Sequence, residues 1–140
     1  MALTFAALFA GAALYINLAE HPARMTLDPK HAIAQWSPSY DRGYTMQATL
    51  AVLAGVAGLA AWWELRSALW LAGALLMLAN WPWTLLVIMP INKKLKEEAL
   101  NATGGAAVTL LNRWARLHAM RTLLSFAALT CFAFASLLAQ

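Results

Sequence analysis

Four long apolar runs separated by three polar stretches set the pattern of the chain. The first, Ala2 to Ala19, holds eighteen residues (2 to 19) without a charge. That is near the lower end of the roughly 17 to 25 residues that cross a hydrocarbon core about 30 Å thick. A second run extends from about Tyr44 to Trp63, a third from Ser67 to Ile91, and a fourth from Ala119 to Ala139. The expected architecture is all-α: one integral membrane domain of four transmembrane helices, spans about 2–20, 44–63, 67–91 and 119–139, with an amphipathic cytoplasmic helix before the fourth.

The punctuation between the runs refines this expectation. Glu64-Leu65-Arg66 is so short a connector that the second and third spans must be antiparallel neighbours. Pro22 is expected to break the first helix or start a new one, leaving a polar loop to Gly43. Pro82 should kink the third span, and Pro90 should close it. Thr103-Gly104-Gly105 reads as a breaker. Small residues at Ala6, Ala10, Gly11 and Ala13, and at Ala51, Gly55 and Gly58, form stripes on which helices can pack closely. Trp36, Tyr40 and Tyr44 in the first polar stretch are of the kind that form an interfacial aromatic belt.

The fourth span is entered through Leu111 to Arg121. Read as one helix running on into Thr122 to Ala139, it puts Trp114, His118, Arg121 and Ser125 on one face. Ionisable groups at membrane depth are uncommon and usually face a partner or a cavity, so this face is expected to be one wall of a site.

Composition agrees with the pattern: 62% of residues are hydrophobic and 11% charged, against about 25% charged in a soluble domain. The net charge of +4 points to the bilayer and not to nucleic acid, because the basic residues border the spans. Eight of the ten Lys and Arg residues fall in the first and third polar stretches, Arg121 at the entrance to the fourth run, and Arg66 alone in the second. The positive-inside rule then puts the first and third loops in the cytoplasm and both termini outside, with the bacterial inner membrane as the expected location. No Lys or Arg precedes the first apolar run, which argues against a cleaved secretory signal. The single cysteine, Cys131, excludes an intramolecular disulfide. No span centre carries an ionisable residue, which argues against a transporter.

Four stretches carry a family resemblance: Glu20-His21-Pro22-Ala23-Arg24, Trp36-Ser37-Pro38-Ser39-Tyr40, Trp83 through Pro90-Ile91-Asn92 to Leu95, and Trp114-Ala115-Arg116-Leu117-His118-Ala119-Met120-Arg121-Thr122. Together they resemble the anthrone oxygenase-like family of small four-helix membrane proteins. The resemblance implies a four-span fold and, for a few members, oxidation of anthrones to anthraquinones with molecular oxygen. It carries over His21, Arg24, Asn92, Trp114, His118 and Arg121 as matching positions.

An anthrone has an acidic methylene between two aromatic rings, so a histidine can remove its proton while arginines stabilise the enolate that forms. On this expectation His118 is the base, Arg121 and Arg24 hold the oxyanion, His21 assists, Asn92 donates a hydrogen bond, and Trp36, Trp81, Trp83 and Trp114 stack on a flat aromatic or other apolar substrate. No cofactor is required. A second reading takes His21, His118 and Glu20 as ligands of a metal ion, two imidazoles and a carboxylate being the set found in non-haem iron oxygenases. A third has haem ligated by histidine between helices. The fourth is a non-catalytic scaffold, open to homo-oligomerisation, whose histidines and arginines reach outward to headgroups.

Overall fold

The protein is described from a computed structural model, which covers residues 1–101 and 105–139. Four helices make up the described residues, and none of these residues forms a strand: α1 (Ala2–Arg24), α2 (Pro29–Leu65), α3 (Ala68–Leu100) and α4 (Ala107–Leu138). Each is long and apolar enough to cross a membrane. Every helix packs on two neighbours, in the cyclic order α1, α2, α3, α4. The antiparallel pairing of α2 with α3 follows from their connector, as the sequence requires. Arg66 takes a left-handed conformation (φ 55°) there, its N–H bonds the Trp62 carbonyl at 2.8 Å, and its guanidinium covers the Trp63 ring at 4.4 Å.

Three boundaries differ from expectation. Pro22 does not end α1, Pro90 does not end α3, and the polar stretch before Gly43 is not a loop, because α2 begins at Pro29. The start of α2 has a local cause. Asp28 caps it, its Oδ1 accepting from the N–H groups of Lys30 and His31 at 3.1 and 3.3 Å, and Pro29 stands where a helix needs no N–H. The His31 side chain and these amides hold the Asp28 carboxyl below its usual range. Of the expected breaker, Thr103 and Gly104 lie outside the described residues, and Gly105 is in a turn.

The two prolines are absorbed in the same way. A single π-helical turn, Ile16–Glu20 in α1 and Thr84–Ile88 in α3, ends two residues before each. The His21 N–H reaches the Ile16 carbonyl and the Met89 N–H the Thr84 carbonyl, five residues back in both cases. Each proline would otherwise press on the carbonyl four residues earlier, Leu18 or Leu86. One extra residue in the turn moves that carbonyl aside without stopping the helix.

Because the helices continue, α2 with its 37 residues is roughly 55 Å long at 1.5 Å per residue, well beyond a 30 Å hydrocarbon core. The bundle therefore has two apolar cores in series. One joins Ala6, Phe9, Ala13, Ala54, Met77 and Phe132; the other, at the end holding the α1–α2 and α3–α4 connectors, joins Ile33, Trp36, Ile88, Leu95, Leu111 and Trp114. Along every helix the residues between these sets are polar and mostly buried: Asn17 on α1, Gln47 on α2, Asn80 and Thr84 on α3, His118, Arg121, Thr122 and Ser125 on α4. This belt is the feature that positions the site.

The first core closes tightly because of two glycines. The Phe132 ring lies in a notch between Gly58 and Gly73, where a Cβ would stand 2.8 and 2.5 Å from its edge. Ala51, Gly55 and Gly58 are buried, as their spacing implies, as are Ala6, Ala10 and Ala13. Gly11 is the exception: it faces outward, with nothing within 4 Å of a Cβ built on it.

Candidate functional site

The belt is built from α4 outward. Trp114, His118, Arg121 and Ser125 are all buried on its inner face, the arrangement their spacing gives. Against them α1 sets Asn17, a polar residue of its π turn that hydrogen-bonds to α4. Its Nδ2 donates to the Ala115 carbonyl at 3.1 Å, while its Oδ1 accepts from the Thr122 hydroxyl at 2.8 Å and lies 3.0 Å from His118 Nδ1. The carbonyl of Ala115 can only accept, so the amide orientation is fixed and Oδ1 must face the imidazole. His118 Nδ1 is thereby the protonated nitrogen, and in the neutral ring Nε2 carries the lone pair.

Two arginines share this region in different electrostatic states. Arg24 forms an ion pair with Glu20, donates from Nε to Gln35, and lies 5.9 Å over the Trp114 ring; Glu20 also accepts from the Ser39 hydroxyl. Arg121 is 6% exposed, makes no ion pair among the described residues, has its Nε unpartnered, and lies 5.3 Å over the Phe9 ring. Ionisable groups inside a membrane bundle are costly and usually paired. Arg121 has no acid to offset that cost among the described residues.

His118, Arg121, Arg24, Trp36 and Trp114 line one cleft, together with Tyr40, Tyr44 and Gln47. Its free space is about 20 Å³, room for about one water. Trp36 is fully buried, stacked on Tyr40 at 5.0 Å and edge-on to Trp114 at 6.0 Å. It belongs to the second core and not to an interfacial belt. Tyr40 is held by Asn92, whose Nδ2 donates to its hydroxyl at 2.8 Å. Asn92 therefore touches the cleft only through Tyr40.

The remaining expected site residues are elsewhere. His21 is not among the residues that line the cleft; it opens onto a surface groove with Asn17, Asn112 and Arg116. The indole lies 5.0 Å from the His118 ring and 6.4 Å from His21, between centroids. Trp83 donates its indole N–H to the Leu117 carbonyl at 3.0 Å and packs on the second core. Trp81 is 38% exposed, on the rim between α2 and α3. Of the four tryptophans expected to stack on substrate, Trp36 and Trp114 line the His118 cleft. Glu20 is committed to Arg24 and Ser39, and among the described residues no three His, Cys, Asp or Glu side chains gather as a metal-binding group.

Sequence reasoning missed Asn17, Gln47, Asn80, Tyr40 and Tyr44. The first three had a signal, since an amide inside an apolar run needs a partner. The tyrosines had none, because aromatic residues near a span end look alike whether they face lipid or a neighbour.

The fold and the site thus define a four-helix membrane protein with a buried, cationic polar belt beside an oriented histidine. Residues 36–131 match the model of the anthrone oxygenase family, and the chain belongs to that family. The match includes Trp36, Asn92, Trp114, His118 and Arg121 and begins after His21 and Arg24. No curated protein and no solved structure matches the chain.

Proposed function

We propose that the protein is a membrane oxygenase that converts a flat aromatic with an acidic C–H, of the anthrone or polyphenol type, into the corresponding ketone with O2. The observation that carries this reading is Arg121: a buried guanidinium without a carboxylate, beside a histidine whose orientation Asn17 sets, suits a ligand that becomes an anion during reaction. In an anthrone the methylene lies across the central ring from the carbonyl. His118 and Arg121 stand one turn apart on α4, their Cβ atoms on the order of 5–6 Å from each other, which lets one ligand meet both.

His118 Nε2 takes one methylene proton, and the electron pair moves into the ring system as an enolate whose oxygen accepts from Arg121. The enolate passes one electron to O2, and the resulting radical pair combines into a C–O bond, giving a peroxide anion. Imidazolium returns its proton to form the hydroperoxide. His118 then removes the second proton of that carbon, the C=O bond forms, the O–O bond breaks, and the departing hydroxide takes the proton as water. One anthrone and one O2 become one anthraquinone and one water. The substrate carbanion supplies the electrons, so the residues named suffice without a metal or haem. A ligand of this size needs more room than the closed cleft offers, so side chains at its rim must move on binding.

The test is oxygen uptake with anthrone by the purified protein in lipid vesicles. The expected stoichiometry is one O2 per anthrone, and His118→Ala lowers the rate by on the order of 10²- to 10⁴-fold, the usual contribution of a general base. Wild-type turnover in His118→Ala rules the assignment out.

A further inference from the structure

We infer that ligand reaches the cleft sideways from the lipid, through the groove between α2 and α3, with Tyr44 as the gate; this rests on the reading of the cleft as a site for a flat aromatic. Three hollows adjoin one another through shared lining residues. The outermost is an open groove of about 380 Å³ on the membrane-facing surface, walled by Tyr44, Ala48, Val52, Leu53 and Trp81. A smaller hollow behind it, about 10 Å³, is bounded by Tyr44, Ala48, Trp81, Asn80, Thr84 and Arg121. The His118 cleft is the third, and it meets the second at Tyr44 and Arg121. Tyr44 is the residue common to all three.

The chemistry of the groove selects an uncharged occupant. Its two threonines turn their hydroxyls back onto their own helix, Thr45 to the Asp41 carbonyl at 3.1 Å and Thr49 to the Thr45 carbonyl at 2.9 Å, so they present methyl groups outward. Trp81 offers an aromatic face at the rim. Polar groups begin only behind the gate, with Asn80 Oδ1 and Arg121 Nε both unpartnered and buried. An apolar body with one hydrogen-bonding end matches that order, and such a molecule is concentrated in the bilayer.

The gate itself is held by a tilted ring contact with Tyr40, 5.8 Å between centroids, and by no side-chain hydrogen bond among the described residues. Tyr40, one turn earlier, is fixed by its hydrogen bond to Asn92 and its stack on Trp36. The Tyr44 hydroxyl has no hydrogen-bond partner among the described residues, and its ring is half-buried. Gly43 precedes it, with nothing within 4 Å of where a Cβ would stand. A second mouth exists between α1 and α2, but Glu20, Ser39 and Arg42 line it. It suits water and protons better than an apolar ring.

A gate alters entry and exit together and leaves the equilibrium alone, which separates it from a binding residue. The probe is 9,10-anthraquinone, flat and unable to react, with association followed by stopped-flow quenching of tryptophan fluorescence in phosphatidylcholine vesicles. Ala48→Phe, which fills the groove from a surface position, is expected to slow association and dissociation by about tenfold each and to leave Kd within about twofold. Tyr44→Ala should accelerate both. Unchanged rates in Ala48→Phe, slowing by Met46→Phe at the α1–α2 mouth instead, or no saturable binding to wild type each overturns the proposal. Binding that behaves as described without any oxidation of anthrone refutes the catalytic reading and leaves the route standing. Ala48→Ser, with wild-type rates, controls for the substitution.

Discussion

At the scale of single residues, the site depends on which nitrogen of His118 is free. Asn17 decides this through a chain of fixed donors and acceptors: the Ala115 carbonyl orients the amide, and the amide orients the imidazole. Asn17 need not touch substrate to matter. Asn17→Leu is expected to lower kcat by about tenfold or more, equivalent to about 1.4 kcal/mol of barrier, with little change in anthraquinone affinity. A structural role alone would not change the tautomer, so the 15N shifts of the His118 ring are the decisive readout. They should show a mixture of tautomers in the variant and a single Nε2 lone-pair form in wild type. Asn92 has a similar indirect part, since it reaches the cleft by holding Tyr40.

At the scale of elements, prolines and glycines act by local geometry. Pro22 and Pro90 each follow a π turn, and each turn brings a polar residue of the belt, Asn17 or Thr84, into the bundle. The helix-breaking reading failed at both because a membrane helix packed on neighbours widens by one residue more readily than it ends. Packing of α2 and α3 on α4 depends on the notch for Phe132. Gly73→Ala is expected to destabilise the bundle by about 1–3 kcal/mol, the usual cost of overpacking, measured by denaturant titration in detergent micelles. Adding Phe132→Leu should recover part of the loss, because the ring edge at 2.5 Å is what the new Cβ meets. Equal or greater loss in the double variant would show that the ring is not the obstacle.

At the scale of the molecule, the bundle places a polar layer between two apolar cores, and that layer contains one charge, Arg121, with no ion pair among the described residues. From Arg121 to Leu138, α4 runs on for roughly 26 Å, so the guanidinium sits far from the opposite end of the bundle. Stability and function should therefore oppose each other there. Arg121→Met is expected to raise the stability of the whole protein by about 1–3 kcal/mol, since an apolar chain replaces an unpaired buried cation. It should also abolish turnover. A loss of stability would mean that Arg121 is held by contacts that offset its desolvation, and the oxyanion role would lose its support.

The sequence by itself determined the four spans, the short α2–α3 hairpin, and the inner face of α4 with Trp114, His118, Arg121 and Ser125, because hydrophobic run length and the 3.6-residue period are properties of neighbouring positions. The family was legible too, since its motifs are short and local. What only the tertiary structure decided was pairing: that Glu20 neutralises Arg24 and leaves Arg121 without an ion pair among the described residues, that Asn17 orients His118, that Trp36 is core while Trp81 is rim, and that His21 and His118 line different hollows. Those facts depend on contacts between residues up to about a hundred positions apart, and no local pattern encodes which polar group will meet which once the helices close into a ring.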